Sequence, residues 1–333
     1  MTEHFIESSF CKGDTAFETP LRPEHFAEFV GQESVCQQLE VIIQAAKQRG
    51  EPACHCLFCG PPGLGKTTLS HIIAKSMGTN ITVTSGPVIE KAGDLAGLLT
   101  KLSVGDVLFI DEIHGLNRTI EEYLYPAMED FMLDLVVDSG ASARSVKVRL
   151  NQFTLVGATT RLGLISAPLR SRFGASLRLD YYRPQALEKI LVRTARILGV
   201  QADSASLQEI AGRSRGTPRI ANNLLRWVRD FAQIKANGAV TREVTEAALK
   251  MIAIDDRGLD EVDIKILKVL IEHNGGDPVG LQTLALAVGE EPHTIEEVHE
   301  PFLIMQGLVR RTPRGREATQ QAFDHLEISP NVN

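Results

Sequence analysis

The chain has 333 residues, which at roughly 150 residues per domain implies two or three domains. Its 43% apolar and 23% charged residues exclude a disordered chain, a collagen and a small disulfide scaffold. A net charge of −7 means that any nucleic-acid footprint is local, or arises from several copies gathered around the ligand.

No apolar run approaches the roughly 18 residues that span a bilayer. Met1–Lys12 lacks the basic flank and apolar core of a secretory signal. The expectation is a cytoplasmic protein with no membrane partner. Five cysteines occur: Cys11, Cys36, Cys54, Cys56 and Cys59. Cys56 and Cys59 have C-x-x-C spacing, but no second pair follows to complete a zinc site. They read better as small apolar residues of a buried strand.

The first half alternates strand-like and helical runs, the signature of a parallel α/β sheet. Strands are expected at Cys56–Cys59, Ile81–Thr84, Val107–Ile110 and Phe153–Gly157. Helices are expected at Gln32–Arg49, Thr67–Met77, Asp94–Leu102 and Ile120–Asp130. Leu69, Ile72, Ile73, Ser76 and Met77 share one face of the second helix. Beyond Tyr182 the pattern is helical: Pro184–Leu198, Ala205–Gly212, Pro218–Lys235 and Thr241–Ile252. Gly199, Gly216-Thr217-Pro218 and Asn237-Gly238 punctuate these helices. After the polar junction Asp255–Gly258 come helices at Asp260–Ile271, Thr283–Val288 and Thr294–Met305. Thr294-x-x-Glu297 has the capping-box pattern. Leu308–Arg310 and Glu317–Thr319 flank a turn at Thr312–Arg316, giving a winged-helix arrangement. The expected domains are therefore 1–182, a large α/β domain; 183–254, an all-helical domain; and 255–333, a winged-helix domain.

The chemistry begins at Gly60-Pro61-Pro62-Gly63-Leu64-Gly65-Lys66-Thr67, which fits the phosphate loop G-x-x-x-x-G-K-[ST]. It follows a strand and opens a helix, so backbone N–H groups and the helix N-terminus face a phosphate. Lys66 is placed to reach the β- and γ-phosphates of ATP, and the Thr67 hydroxyl to ligate Mg2+. The apolar run Val107–Ile110 ends in Asp111-Glu112. Asp111 is suited to the magnesium shell, and Glu112 to polarising the attacking water. Gly157-Ala158-Thr159-Thr160-Arg161 offers a strand-terminal hydroxyl, from Thr159 or Thr160, to the γ-phosphate or the lytic water. Arg170 and Arg172 follow, and an arginine lent by a neighbouring subunit is worth about 10³–10⁵ in rate. Arg219 opens a helix of the second domain.

These motifs occur in the order of an AAA+ ATPase: a P-loop parallel sheet with helices, then a helical lid. More narrowly, the chain resembles the RuvB family, the bacterial motors of Holliday junction branch migration in recombination and DNA repair. The resemblance is carried by Thr84–Pro87, Glu90–Leu95, Leu124–Asp130 and Arg311–Arg316, and runs from about Leu21 to Phe323. It implies that Leu21 and Arg22 contact the adenine side. Gly63, Gly65, Lys66, Thr67, Thr68, Glu129, Asp130, Phe131, Tyr182 and Arg219 are implied around the nucleotide. Arg172 is implied as the finger completing a neighbour's site, within a homohexamer. Phe131–Asn151, with apolar Leu133, Leu135 and Val137, matches the hairpin that docks on a RuvA-like junction-binding protein; a RuvC-like resolvase is the further partner.

Arg310, Arg311, Arg314 and Arg316 fall within seven residues of the expected wing. Arginines on a wing grip phosphates of duplex DNA without reading bases. The leading expectation is an ATPase of helicase-like type, coupled to DNA translocation. The alternative is a clamp-loader-like or regulatory switch that does not translocate. A metabolic kinase is disfavoured, because the helical and winged-helix units offer no acceptor site.

Overall fold

The structure, a computed structural model, describes residues 19–136, 145–273 and 277–328. The described residues form two compact units, Thr19–Tyr182 and the chain from Arg183 onward.

In the first unit, α1 (Glu33–Arg49) leads into β1 (Cys56–Cys59), α2 (Lys66–Met77), β2 (Ile81–Ser85), α3 (Ala92–Leu99) and β3 (Val107–Asp111). Then come α4 (Arg118–Glu129), the hairpin β4 (Met132–Val136) and β5 (Ser145–Arg149), β6 (Thr154–Thr159), α5 (Ala167–Ser171) and β7 (Ala175–Arg178). Five strands form one parallel sheet in the order β2-β3-β6-β1-β7. Cys56 and Cys59 are buried in β1. The inner strands β1, β3 and β6 are buried along nearly their whole length, as strands of a parallel sheet covered on both faces are. Their core includes Leu57, Leu108, Ile110 and Leu155, with Leu95 and Leu124 packed from the helices.

β7 was not among the expected strands. It is an edge strand in which only Leu177 is buried, so it lacks the apolar run that marks the inner strands. The third expected helix starts two residues earlier, at Ala92, and stops at Leu99. Asp94 is its third residue and accepts the Lys91 N–H at 3.0 Å.

The second unit opens with four helices: α6 (Pro184–Leu198), α7 (Ser204–Gly212), α8 (Pro218–Lys235) and α9 (Arg242–Met251). The winged helix follows: α10 (Glu261–Lys268) running into a π turn, α11 (Leu281–Val288), α12 (Pro292–Thr294), α13 (Glu300–Met305), the hairpin β8 (Val309–Thr312) and β9 (Gly315–Ala318), and α14 (Gln320–His325). Between α12 and α13 lies a second π turn, Ile295–His299.

The capping box expected at Thr294 does not form. The helix begins at Pro292, a residue suited to the first helical position, and Thr294 is already helical with φ −60°. In α10 the buried stripe is Val262, Ile266 and Leu267, continuing through Leu270 and Ile271. Ile264 is only partly buried, whereas Asp263 is fully buried. The wing is tighter than the expected five-residue turn: Thr312 pairs with Gly315, leaving Pro313-Arg314 at the tip. Gly315 has φ +145°, and a Cβ there would collide with the Val279 carbonyl.

Candidate functional site

Parallel strands deliver their functional residues at their C-terminal ends, and β1, β6 and β3 are consecutive neighbours in the sheet. β1 opens into the phosphate loop, and Gly60 N–H donates to the Thr159 carbonyl at 3.2 Å. Gly60 has φ +147°, and a Cβ on it would collide with the Leu179 carbonyl. Gly63 and Gly65 also take left-handed backbone, at φ +78° and +102°. The loop therefore keeps a shape closed to L side chains, which frees its N–H groups to face an anion.

Lys66 is buried at the first position of α2 and donates from Nζ to the carbonyls of Gly60 and Pro61, at 2.8 and 2.9 Å. An ammonium held across its own loop by neutral carbonyls marks where a phosphate oxygen would sit. The residues present therefore fit a polyphosphate. Thr67 and Thr68 follow in the first turn, half-buried, on the same helix end.

At the end of β3, Asp111 Oδ1 accepts the Glu112 N–H at 3.0 Å. Glu112 has left-handed backbone, φ +44°, which turns it out of the strand direction. Its Oε2 accepts from the Thr160 N–H at 3.3 Å and from the Thr160 hydroxyl at 3.2 Å. The same oxygen lies 3.2 Å from His114 Nδ1. His114 Nδ1 is also 2.9 Å from Thr159 Oγ1, which accepts the Arg161 N–H at 2.9 Å. Thr159 is thus buried and occupied by structure, and Thr160 is the hydroxyl that touches the acidic pair. His114 was missed in the sequence as part of this site. Its place two residues after Glu112 was the only available signal.

Tyr182 closes the loop from the other side. Its hydroxyl donates to the Leu64 carbonyl at 3.0 Å, and its ring packs against Gly31 so closely that a Cβ there would lie 2.6 Å away. Burial pushes the Tyr182 phenol well above its ordinary value, so it stays a donor. Gln32 clamps the neighbouring strand end, donating to the Asp180 carbonyl at 2.6 Å and accepting its N–H at 3.2 Å. Leu21 is buried. Burial holds the His71 imidazole of α2 below its ordinary value, and the positive charge of Arg22 adds to this.

Arg172 belongs to a separate cluster on α4 and α5. Its guanidinium donates to the Pro168 carbonyl at 2.8 Å, pairs with Glu129 at 3.2 Å and lies 4.3 Å from the Tyr125 ring centre. Tyr125 in turn donates to buried Glu121 at 3.0 Å, and Ser166 donates to the same carboxylate at 2.5 Å. Asp130 ends α4. Phe131 follows with left-handed backbone, φ +53°, its ring edge-on to Phe153 at 5.8 Å and to His55 at 6.4 Å. Glu129 and Arg172 are brought together, while Phe131 offers its backbone rather than its ring. In the adjoining hairpin, Leu133 is buried in the core, so it offers no docking surface. Among the described residues of the hairpin, Val146 on β5 is an exposed apolar residue. Val137, and the side chain of Leu135, lie outside the described residues.

Arg219 stands in the first turn of α8, in the second unit. On the wing, Arg316 and Arg311 converge on buried Glu300, at 2.9 and 2.7 Å, and Arg311 also reaches Glu296 at 3.0 Å. Burial pushes the Glu300 carboxyl up, but the two guanidinium groups outweigh it and leave it below its ordinary value. Arg314 is exposed at the tip and makes no ion pair among the described residues. Arg310 pairs across the hairpin with Glu317.

A phosphate loop, an acidic strand end and a hydroxyl from the strand between them, followed by a helical lid, define a P-loop ATPase of the AAA+ class. Family models agree along nearly the whole chain: the Holliday junction DNA helicase RuvB P-loop domain matches residues 21–179, the RuvB AAA lid domain 182–255 and the RuvB C-terminal winged helix domain 256–327. The chain belongs to the RuvB family. It is 62% identical over 326 residues to the Holliday junction branch migration complex subunit RuvB of Protochlamydia amoebophila, covering 98% of each chain. The subunit of the same name from Chlamydia pneumoniae is 56% identical over 314 residues, covering 94% of this chain and 93% of that one. The solved structure of the Thermotoga maritima RuvB Holliday junction branch migration motor superimposes with a TM-score of 0.84 at 49% identity, covering 93% of this chain and 99% of that one.

Proposed function

We propose that the chain is an ATP-driven motor of Holliday junction branch migration. It works as a hexameric ring on duplex DNA, with a RuvA-like junction-binding partner and a RuvC-like resolvase. The observation that carries the reading is the convergence of β1, β6 and β3, which sets Lys66, Thr160 and Glu112 around one strand-end cleft.

In this reading Lys66 leaves its two loop carbonyls for the β- and γ-phosphates of ATP. Thr67 and Asp111 hold Mg2+, which supplies charge neutralisation on those phosphates when bound. Glu112 takes the proton of the attacking water. All three of its contacts fall on Oε2, which leaves Oε1 to accept from that water. Thr160 and His114 are positioning residues that fix the carboxylate. Leu21, Arg22 and Tyr182 line the nucleoside side.

Arg172, braced by Glu129 and Tyr125, is offered to the γ-phosphate of a neighbouring subunit, where it stabilises charge on the transferring group. Arg219 engages the nucleotide from the lid, so that hydrolysis changes the lid's angle. Arg314, with Arg310 and Arg311, grips DNA phosphates. Arg316 shapes the wing from its seat on Glu300.

The test is ATP-dependent migration of a synthetic four-way junction in the presence of the junction-binding partner. Migration that needs ATP and is lost in Lys66→Ala supports the motor. ATP hydrolysis with the junction left in place supports the switch reading instead.

A further inference from the structure

The turn between α7 and α8, Arg213–Thr217, carries a residue that the nucleotide chemistry does not use. Arg215 has left-handed backbone, φ +53°, and its side chain is only 2% exposed. Ser214 and Thr217 on either side are buried as well. Instead of turning back into the lid, the Arg215 guanidinium crosses into the winged helix. It pairs there with Asp263, whose side chain is fully buried, and lies 4.3 Å from the Phe302 ring centre on α13.

Asp263 is itself tied in two further directions. Its Oδ2 accepts the Asp260 N–H at 3.1 Å, as half of the capping box that opens α10. Its Oδ1 lies 2.8 Å from Nδ1 of buried His299. His299 is followed directly by Glu300, the carboxylate that seats Arg311 and Arg316 of the wing. At the other end, Arg215 lies four residues before Arg219. Buried contacts therefore join Arg215, Asp263 and His299, and the chain itself continues from them to Arg219 at one end and to Glu300, at the base of the wing, at the other.

The junction beside this line is equally close-set. Gly258 has φ +79°, and a Cβ on it would lie 2.6 Å from the Arg213 carbonyl. The Arg213 guanidinium donates to the Ile254 carbonyl at 3.4 Å, and His325 of α14 pairs with Asp255 at 2.8 Å.

Burying a pair of charges is poor value as stability alone, since a well-packed apolar pair does as well or better. A guanidinium fork with fixed geometry instead specifies one orientation of two bodies. We propose that Arg215, seated on Asp263, is a positioning residue that couples the nucleotide-sensing start of α8 to the DNA-binding wing. It makes lid and winged helix turn as one piece, so that a rotation set at Arg219 reaches DNA. The proposal rests on the motor reading above and names how that motor transmits its stroke.

The experiment uses the full chain with its junction-binding partner and compares wild type with Asp263→Asn and Arg215→Lys. Arg215→Lys keeps the charge and the α10 capping box but loses the fork, so it serves if Asp263→Asn does not fold. Three quantities are read: ATP turnover on duplex DNA, duplex affinity, and junctions migrated per ATP hydrolysed.

Turnover and affinity are expected to stay within about twofold of wild type. Migration per ATP is expected to fall at least about fivefold, the lower end of ordinary coupling between sites. If wild type migrates junctions and both single variants keep its migration per ATP, the coupling role is overturned. It is also overturned if migration falls only in step with duplex affinity or melting temperature, because the pair is then merely structural. A wild-type chain that hydrolyses ATP but migrates nothing counts against the motor reading itself.

Discussion

Cations are held in opposite ways in the two units. In the phosphate loop, Lys66 rests on two neutral carbonyls of its own loop. On the wing, Arg311 and Arg316 rest on the carboxylate of Glu300. Both kinds of bond are charge-assisted, but only the wing sets full charge against full charge. A phosphate oxygen out-competes a carbonyl for an ammonium, whereas a guanidinium on a buried carboxylate already has an anionic partner. A cluster of arginines in a sequence is therefore not a count of phosphate grips. In this wing Arg314 stands exposed at the tip, whereas Arg316 is held on Glu300.

The largest effect expected from breaking this contrast is at Arg172. Arg172→Ala should lower ATP turnover by about 10³-fold or more, while nucleotide binding, measured by fluorescent-analogue titration, survives. Next is Glu300→Ala, which leaves the largely covered Arg316 only the longer contact to Glu296 at 3.8 Å and should destabilise the winged helix by about 3 kcal/mol. Thermal denaturation of the second unit reads that loss, with duplex binding weakened as the wing loosens. Thr160→Val removes one hydrogen bond to the charged Glu112 and should slow hydrolysis by roughly 10- to 100-fold, the equivalent of about 1.5–3 kcal/mol. Arg314→Ala should leave stability unchanged and make the slope of log affinity against log salt shallower by about 0.9, one phosphate contact.

Acid should separate the two units. Leu155 N–H donates to His55 Nδ1 at 2.9 Å and His55 Nε2 lies 3.0 Å from the Met128 carbonyl, so the buried ring is neutral. Burial lowers its pKa, against the smaller opposing effect of the Met128 carbonyl. The unfolded chain then binds the proton more readily, and this contribution, whole above about pH 6.5, is lost as pH falls below it. Glu300 is also lowered. Its contribution is whole above about pH 4.3 and is lost only as pH falls through its depressed value. A pH series of domain-resolved melting should show the ATPase unit softening first. His55→Gln should flatten its dependence near neutrality and leave the winged helix unaffected.

How much of this was legible in the sequence follows from the kind of signal each part carries. Val107–Ile110 and Cys56–Cys59 announce inner strands by continuous apolar runs, and the loop at Gly60–Thr67 announces its chemistry by spacing. β7 does not, because an edge strand with one buried residue looks like a loop. Asp263 sits on an apolar helix face, where periodicity treats a carboxylate as an interruption, and its partner Arg215 lies 48 residues away. Long-range ion pairs leave no local pattern. For the same reason the sequence shows arginines on the wing but not that Glu300 holds two of them. Thr294-x-x-Glu297 shows the converse: a local pattern overruled by Pro292, which starts the helix sooner.

The central claim is that each ATP site is completed from next door. The most direct measurement is ATP turnover of an equimolar mixture of Lys66→Ala and Arg172→Ala chains, against each chain alone. The account predicts near-background rates for either alone and a clear gain on mixing, because mixed rings hold sites with a sound loop and a sound finger. Undiminished turnover by Arg172→Ala on its own would contradict it.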